Sequence, residues 1–439
     1  MRRVQKNIVK ILSFSLIFLT SCTTMADYNY KNINLALNEN RFEDVHEELE
    51  YPQKKLYSGN DKSLKYLDLG LVSHYSKDFQ KSNEELESAE KLFEKNSAKS
   101  ISQEVSSTFL NDNVIDYSAS LYEDIYLNIF MALNYISLQK FDDAMVEVRK
   151  FDTKLKSISS KMQVQIENQR RELKENSTSM PKGDFKFHNS ALARYLSMIL
   201  YRTDGDYSNA EVDLNLLKEA FSLQKNVYDF DYPKEVEDEL NVKKSDAHLN
   251  IFAFTGKGPV KKEESVSLYC VNAFYKVATP TMEARDSDIY GVKVEITDEN
   301  NQIVQTKNLA LIENIENIAF ESFNQESAAI IGKLLARMAV KISSAVAFDT
   351  LAKKNDNGIF SVLGLFSKVV SFASERADVR CSHFFPKKAY VSGINLTPGT
   401  YNVSIKYLSK RGGVLYSDEY ENVSVQKGKL NFVEGICLR

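Results

Sequence analysis

Side chains that commonly act as nucleophiles or bind metals are few and widely spaced in this sequence. Beyond the amino-terminal segment the thiols are Cys270, Cys381 and Cys437, and the five histidines show neither His-x-x-x-His nor His-Glu-x-x-His spacing. Cys381 and His383 stand two positions apart, which on a strand places both on one face, and packing is the simpler interpretation of that pair. We therefore expect no catalytic residues, no metal and no cofactor.

The three downstream cysteines all lie in the carboxy-terminal half, so a disulfide between two of Cys270, Cys381 and Cys437 is one expectation. At most one bridge can form among three thiols, and an oxidising compartment would favour it. Buried free thiols are the alternative.

Asp378 and Arg380 are a second candidate. Alternate positions on an extended segment put both side chains on one side, where they can pair with each other or hydrogen-bond the backbone of a following strand. A structural ion pair is the favoured interpretation and a docking motif the alternative. The loop Thr255-Gly256-Lys257-Gly258-Pro259 lacks the Gly-Lys-Ser/Thr of a phosphate-binding loop and opens no helix, so it predicts a turn.

The amino terminus has the order of a secretory signal: a basic stretch Met1–Lys10, an apolar run Ile11–Leu19, then small residues before Cys22. The apolar run is about half of the roughly 20 residues that a membrane-spanning helix needs. A permanent transmembrane helix is therefore not expected in residues 1–21.

The residues Leu19-Thr20-Ser21-Cys22 resemble the bacterial lipobox. The resemblance implies cleavage by signal peptidase II between Ser21 and Cys22, and diacylglycerol and a further acyl chain such as palmitate on Cys22. Two or more acyl chains would hold the protein on a membrane through lipid alone. Thr23 follows the cysteine in place of the Asp that retains enteric lipoproteins on the inner membrane. This favours the outer membrane where the source is Gram-negative, facing the periplasm or the surface.

Composition indicates a globular protein with sizeable cores. The 439 residues suggest two or three domains, and the fractions of hydrophobic and charged residues are 43% and 26%. The net charge of -4 includes four basic residues within the first 21, so the remaining chain is more acidic, at -8. A concentrated basic face is not apparent, and we expect no nucleic-acid partner.

Residues 22–240 have helical periodicity and a recurring short motif. Each copy has a polar residue, an aromatic, two polar residues and a small or β-branched one, and the aromatics are Phe42, Phe79, Phe141 and Tyr207. The motif resembles the tetratricopeptide repeat, which implies an α-solenoid with a concave surface for peptides or proteins. The steps between the aromatics are 37, 62 and 66 residues rather than about 34, so the repeats are degenerate. A plain helical bundle is the alternative.

Residues 241–439 alternate polar and apolar side chains and predict a β-sandwich-like domain, beginning with a half-buried strand at 248–254. Further strands are predicted at 291–297, 302–309, 400–408, 413–416, 421–426 and 430–437. Between the strand groups, residues 326–377 predict a helical insertion. A hairpin packed on the sheet is the main interpretation, and contact of residues 328–373 with membrane is the alternative.

Several short motifs together resemble an uncharacterised bacterial family of tetratricopeptide-repeat-containing lipoproteins. They are Ala377-Asp378-Val379-Arg380 followed by aromatic residues and a proline, the later Pro398-Gly399, and the Gly256-Lys257-Gly258-Pro259 loop. The sequence departs from the family where Ser382 replaces a tryptophan and Phe385 a leucine. The resemblance implies an architecture and a location, and no activity.

These observations predict a membrane-anchored, non-enzymatic envelope lipoprotein that acts as a protein-binding adaptor or scaffold, for example in cell-wall or envelope assembly. Its partners would be envelope proteins whose identity the sequence leaves open, and the membrane itself through the lipid. The alternative is a subunit of an export or adhesion apparatus.

Overall fold

The computed structural model describes residues 30–52, 56–102, 115–172, 186–270, 273–341 and 376–439. Helices fill the amino-terminal half of these ranges and sheets most of the remainder, which makes the chain an α+β protein. The described helices of the first half form four consecutive hairpins: α1 Lys31–Asn38 with α2 Phe42–Glu50, α3 Lys62–Tyr75 with α4 Phe79–Ser102, α5 Leu121–Ser137 with α6 Phe141–Glu172, and α7 Ala191–Asp204 with α8 Tyr207–Leu223. Short 3₁₀ segments lie at Gly59–Asp61 and Lys234–Asn241.

All four hairpins turn with the same backbone geometry. The residue two positions before the second helix has positive φ in each: 52° at Asn40, 64° at Lys77, 57° at Gln139 and 83° at Gly205. The N–H of the next residue then donates to the carbonyl five positions earlier, as Lys140 does to Tyr135 at 2.8 Å. This hydrogen bond gives a partner to a carbonyl that would otherwise be unsatisfied at the end of the first helix. The gain offsets the conformational energy of left-handed backbone at non-glycine residues.

The recurring motif marks these turns. Its aromatic is the first residue of the second helix in every hairpin, and the small or β-branched residue three positions later is fully buried: Val45, Ser82, Ala144 and Ala210. Close helix contact explains the small residues. In the second hairpin, a Cβ on Gly70 would come 2.6 Å from the Leu86 side chain, and the Ser82 hydroxyl donates to Gly70 O at 2.7 Å.

The carboxy-terminal half contains the described strands, whose bounds are β1 Ala247–Lys257, β2 Val260–Cys270, β3 Ala273–Glu283, β4 Gly291–Thr297, β5 Ile303–Asn308, β6 Ala310–Asn314, β7 Pro386–Leu396, β8 Gly399–Leu408, β9 Val414–Val425 and β10 Asn431–Cys437. The predicted strands at 413–416 and 421–426 are one strand, β9. Four strands were not predicted: β2, β3, β6 and β7.

Two four-stranded sheets pack face to face. The inner sheet has the order β10-β1-β7-β6, with β1 parallel to β10 and antiparallel to β7; the outer sheet has the order β5-β4-β8-β9. Alternate apolar side chains of β1 and β4, such as Ile251 and Val294, are fully buried between the sheets. Strands β2 and β3 form a separate antiparallel hairpin.

Helices α5 and α7, the first helices of the third and fourth hairpins, pack on the other face of the inner sheet. Phe252 and Phe254 of β1 pack on Tyr195 of α7 and Phe130 of α5, with ring centroids 5.5 and 5.4 Å apart. Burying each phenylalanine contributes roughly 1.5–3 kcal/mol. The prediction of a half-buried strand at 248–254 was therefore wrong, because β1 is buried on both faces, between the helices and the outer sheet.

The predicted insertion begins earlier than expected. Helix α9 spans Ile315–Lys341 and follows β6 directly, eleven residues before the expected start at 326. Ile315 and Ile318 are fully buried in the core shared by helices and sheet. Residues 342–375, which include the apolar stretch 359–373, lie outside the described residues. Among the helices that are described, none is both long and apolar enough to cross a membrane.

Candidate functional site

The proposed lipidation and cleavage residues, Ser21 and Cys22, lie outside the described residues. The first described residue is Tyr30, which is buried and stacks on His383 with ring centroids 4.0 Å apart. The described part of the chain therefore begins eight residues after Cys22.

Asp378 and Arg380 form an ion pair. Nε and Nη2 of Arg380 donate to the two oxygens of Asp378 at 2.9 and 2.7 Å. Its Nη1 reaches the helical half, donating to Asp61 Oδ1 at 2.9 Å and to the Ile115 carbonyl at 3.1 Å. Burial opposes the charge, but Asp378 and Asp61 raise the pKa of Arg380 above its ordinary value. The pair thus attaches the segment before β7 to the start of the second hairpin.

The predicted disulfide is not formed by Cys381 or Cys437, because both are buried free thiols. Cys381 Sγ accepts the Lys261 N–H at 3.3 Å, and burial together with nearby Glu123 raises its pKa to about 12. A thiol in this state is a poor nucleophile. The side chain of Cys270 lies outside the part of the chain that the structure describes.

His383 lies in an environment that disfavours protonation of its imidazole. Burial and the Arg285 guanidinium lower the pKa of His383 to about 3, while its ring is stacked on Tyr30. Among the described residues there is no cluster of three or more histidine, cysteine, aspartate or glutamate side chains that could hold a metal.

The glycine-containing loop at 255–259 joins β1 to β2. Gly256 has a φ of 64°, and the Gly258 N–H donates to the Phe385 carbonyl at 2.7 Å, which closes the turn against the start of β7. A Cβ on Gly256 would meet Ser287 and Lys387 at 3.0 and 3.1 Å. The turn therefore directs the intervening Lys257 away from the sheet, where its Nζ donates to Asn38 Oδ1 of α1 at 2.5 Å.

Lys257 lines a cleft with a volume of about 590 Å³. One wall is α1, through Leu35 and Asn38. The carboxylates of Asp286 and Asp288, between β3 and β4, line the cleft as well. Tyr416 of β9, Glu39 and Arg439 complete it. The cleft thus combines side chains from five separate parts of the chain, and four of these parts contribute acidic or basic groups.

At the carboxy-terminal end of α7, Glu239 anchors the fourth hairpin to β1. This carboxylate is 2% exposed and pairs with Arg202 of α7. It also accepts from Tyr195 Oη at 2.7 Å and Asn250 Nδ2 at 3.0 Å, and lies 3.3 Å from His248 Nε2. Burial alone would raise the pKa of Glu239, but His248 and Arg202 lower it to about 2.

At the amino-terminal end of α7, Glu313 of β6 has no cationic partner among the described residues. One carboxylate oxygen accepts from the hydroxyls of Tyr126 and Ser190, and the other from Tyr228 Oη at 2.8 Å and the Leu192 N–H at 3.1 Å. The carboxylate accepts from the amino-terminal turn of α7, where N–H groups have no partner within the helix, and so stabilises that end of the helix. Burial nevertheless raises the pKa of Glu313.

A third buried link joins the second and third hairpins to β10. His74 Nε2 lies 2.7 Å from Glu434 Oε1, and its Nδ1 lies 2.6 Å from Asn134 Oδ1. Asn134 Nδ2 donates to Ser82 and Asn83, which leaves its oxygen facing the histidine. Both ring nitrogens therefore face acceptors. Burial opposes the charge, yet Glu434 raises the pKa of His74.

Sequence reasoning identified Asp378 and Arg380, and it predicted the loop that contains Lys257 as a turn rather than as a binding site. It missed Glu239 and Glu313, together with the acidic wall of the cleft, because their partners are remote along the chain. A buried glutamate has no signature in one sequence.

The chain matches no family model, no curated protein and no solved structure.

Proposed function

We propose that this protein is a non-enzymatic scaffold of the bacterial envelope, tethered to a membrane by lipid on Cys22, whose helical hairpins are degenerate tetratricopeptide repeats. The repeat proposal is supported by the shared turn and by the aromatic and small residues of all four hairpins. Its partners would be envelope proteins, in cell-wall or envelope assembly.

The observation that carries the proposal is the burial of the inner face of the hairpins under the protein's own inner sheet. In an open solenoid this face would form the groove for a ligand. Here Tyr75 Oη donates to the Phe384 carbonyl at 2.7 Å, and Tyr122 packs on Phe385 with ring centroids 5.4 Å apart. Helices and sheet share one core, which suits a rigid spacer with its partner surfaces on the outside.

The outer surface of the second helices offers apolar contacts. Val146 of α6 and Val212 of α8 are 47% and 53% exposed, and each stands five residues after the first residue of its helix. Leu223 at the end of α8 is 72% exposed. Exposed apolar residues at equivalent positions of successive repeats are suited to a protein partner.

The lipid tether is tested by replacing its nucleophile. Metabolic labelling with an alkynyl fatty acid should mark the wild-type protein and leave Cys22→Ser unlabelled, and the variant should be unprocessed at Ser21. Both folded halves should be retained in the variant by circular dichroism. An unlabelled wild-type protein would reject the tether.

The scaffold role is tested by crosslinking in intact cells. One dominant envelope partner should be recovered with the wild-type protein and lost with the double variant Val146→Lys/Val212→Lys. The matched control is Val304→Lys, at a valine that is 45% exposed on edge strand β5. Equal recovery from both variants, or no partner with the wild type, would contradict the proposed surface.

A further inference from the structure

The cleft beside α1 lies close to the proposed anchor. Seven residues, 23–29, separate Cys22 from the first described residue, and the eight Cα-to-Cα steps from Cys22 to Tyr30 span at most about 29 Å. Leu35 and Asn38 follow within the first two turns of α1, about 10 Å further on. If Cys22 carries lipid, the cleft is therefore held near the headgroups of the membrane.

Among the described residues, two cations and two carboxylates of the cleft form no ion pair, so they can bind a charged ligand. Glu39 is already paired with Arg41 at 2.8 Å. Within the described residues, Lys257 bonds only the neutral Asn38 side chain, and Arg439 Nη1 donates to the Leu415 carbonyl at 3.3 Å. Asp286 and Asp288 are exposed and form no salt bridge in the described part of the chain. The cleft thus complements a molecule that carries both charges.

Lys257 is the group best suited to an anion. Burial and the neighbouring Arg285 guanidinium lower its pKa to about 8. A partly desolvated ammonium without a carboxylate partner gains more from an incoming anion than a fully hydrated one does.

We propose that the cleft binds a phosphoethanolamine zwitterion, the headgroup of a membrane phospholipid, with the phosphate on Lys257 and the ammonium on Asp286 and Asp288. The membrane source of this ligand rests on the proposed lipid tether, whereas recognition of the zwitterion rests on the cleft alone. The headgroup would fix the orientation of the scaffold on the membrane surface.

The test of recognition uses the purified full-length mature protein in detergent micelles and isothermal titration calorimetry. Glycerophosphoethanolamine should bind, and glycerol 3-phosphate or ethanolamine, each carrying one of the two charges, should bind at least about tenfold more weakly. Glycylglycine, a zwitterion with a carboxylate in place of the phosphate, should also be weaker. No binding of glycerophosphoethanolamine, or equal binding of glycylglycine, would overturn the proposal.

Two variants assign the two ends of the ligand. Lys257→Met should weaken binding of glycerophosphoethanolamine about tenfold. Asp286→Asn/Asp288→Asn should weaken it while leaving glycerol 3-phosphate unaffected. The control is Lys427→Met, an exposed lysine outside the cleft. Since both aspartates are exposed, their variant keeps the test valid if Lys257→Met fails to fold. Wild-type affinity in the double aspartate variant would overturn the assignment.

A second arm identifies the source of the zwitterion. The lipidated protein is reconstituted in phosphatidylcholine vesicles with or without phosphatidylethanolamine, and lysine acetylation is followed by mass spectrometry. Phosphatidylethanolamine should protect Lys257 and leave Lys427 unchanged. Equal acetylation of Lys257 in both vesicles would exclude the lipid headgroup and leave a soluble phosphoethanolamine compound as the ligand. Absence of the fatty-acid label on Cys22 would reject the tether without affecting the calorimetric result.

Discussion

The two ends of helix α7 are attached to the inner sheet by buried glutamates that differ in their partners. At the carboxy-terminal end Glu239 lies against the Arg202 guanidinium and His248, and its pKa falls to about 2. At the amino-terminal end the described donors to Glu313 are hydroxyls and a backbone N–H, and the pKa of Glu313 is raised. Burial is nearly complete at both, so the partners and not the depth decide the direction of the shift.

The difference predicts how each end responds to change. Removing one partner of a buried ion pair strongly lowers the free energy of unfolding, because the remaining charge stays buried without a counter-charge. A carboxylate held by neutral donors can be replaced by an amide of similar shape at lower cost.

Removing the cation at the carboxy-terminal end should have the largest effect. Arg202→Met leaves Glu239 buried beside His248 alone and should lower the free energy of unfolding by about 3–5 kcal/mol. Guanidinium chloride unfolding measures the change. The exposed Arg149, whose guanidinium reaches Tyr201 Oη at 3.3 Å, is the control, and Arg149→Met should cost about 0.5 kcal/mol or less. Similar losses in the two variants would mean that the pair is dispensable.

Crowding the hydrogen-bond network around Glu239 should lower the free energy of unfolding by a smaller amount. A Cβ on Gly393 of β7 would overlap Glu239 Oε1 and His248 Nε2, so Gly393→Ala should destabilise the protein by about 1–3 kcal/mol. Gly291→Ala in β4 is the matched control, because a Cβ there meets nothing within 4 Å. The explanation fails if thermal unfolding shows equal stability for both variants.

The amino-terminal end should tolerate the loss of its charge. Glu313→Gln keeps the shape and an acceptor for the Leu192 N–H, and should cost about 1–2 kcal/mol in the same unfolding measurement. Glu313→Ala, which removes every acceptor, is the contrasting variant and should cost more. A loss for Glu313→Gln as large as that for Arg202→Met would remove the distinction between the two ends.

The pH dependence should differ in sign between the ends. The lowered pKa of Glu239 means that its contribution is present above about pH 4.5 and is lost as the pH falls towards 2. The raised pKa of Glu313 means that its contribution is present below about pH 4.5 and is lost as the pH rises through the folded-state value. The stability that Glu239→Gln forfeits should therefore grow from pH 3 to pH 7, and that of Glu313→Gln should shrink. Parallel curves for the two variants would contradict the assignment.

Local signals predicted the helical hairpins well. The aromatic at the start of each second helix and the small residue three positions later act within one turn and its neighbouring helix, and both are visible in the sequence. Strands β4, β8 and β10 were also found, because their alternating side chains face one apolar layer. Strand β2 was missed, since it carries Lys261, Lys262, Glu263 and Glu264 in succession.

The sites were predicted less well. The pairing of Asp378 with Arg380 follows from their spacing, but the contacts of Arg380 with Asp61 and Ile115 join residues more than 260 positions apart. The cleft likewise combines α1 with the end of the sandwich. No local pattern encodes such contacts.

By itself, the sequence determined the α+β order, the four hairpin turns and most strands of the sandwich, because each depends on residues close together in the chain. Tertiary structure alone decided that the inner sheet packs against the helical hairpins, and that β1 is buried on both sides. It also decided the opposite states of Glu239 and Glu313. The physical reason is that desolvation and ion pairing depend on which distant groups surround a side chain.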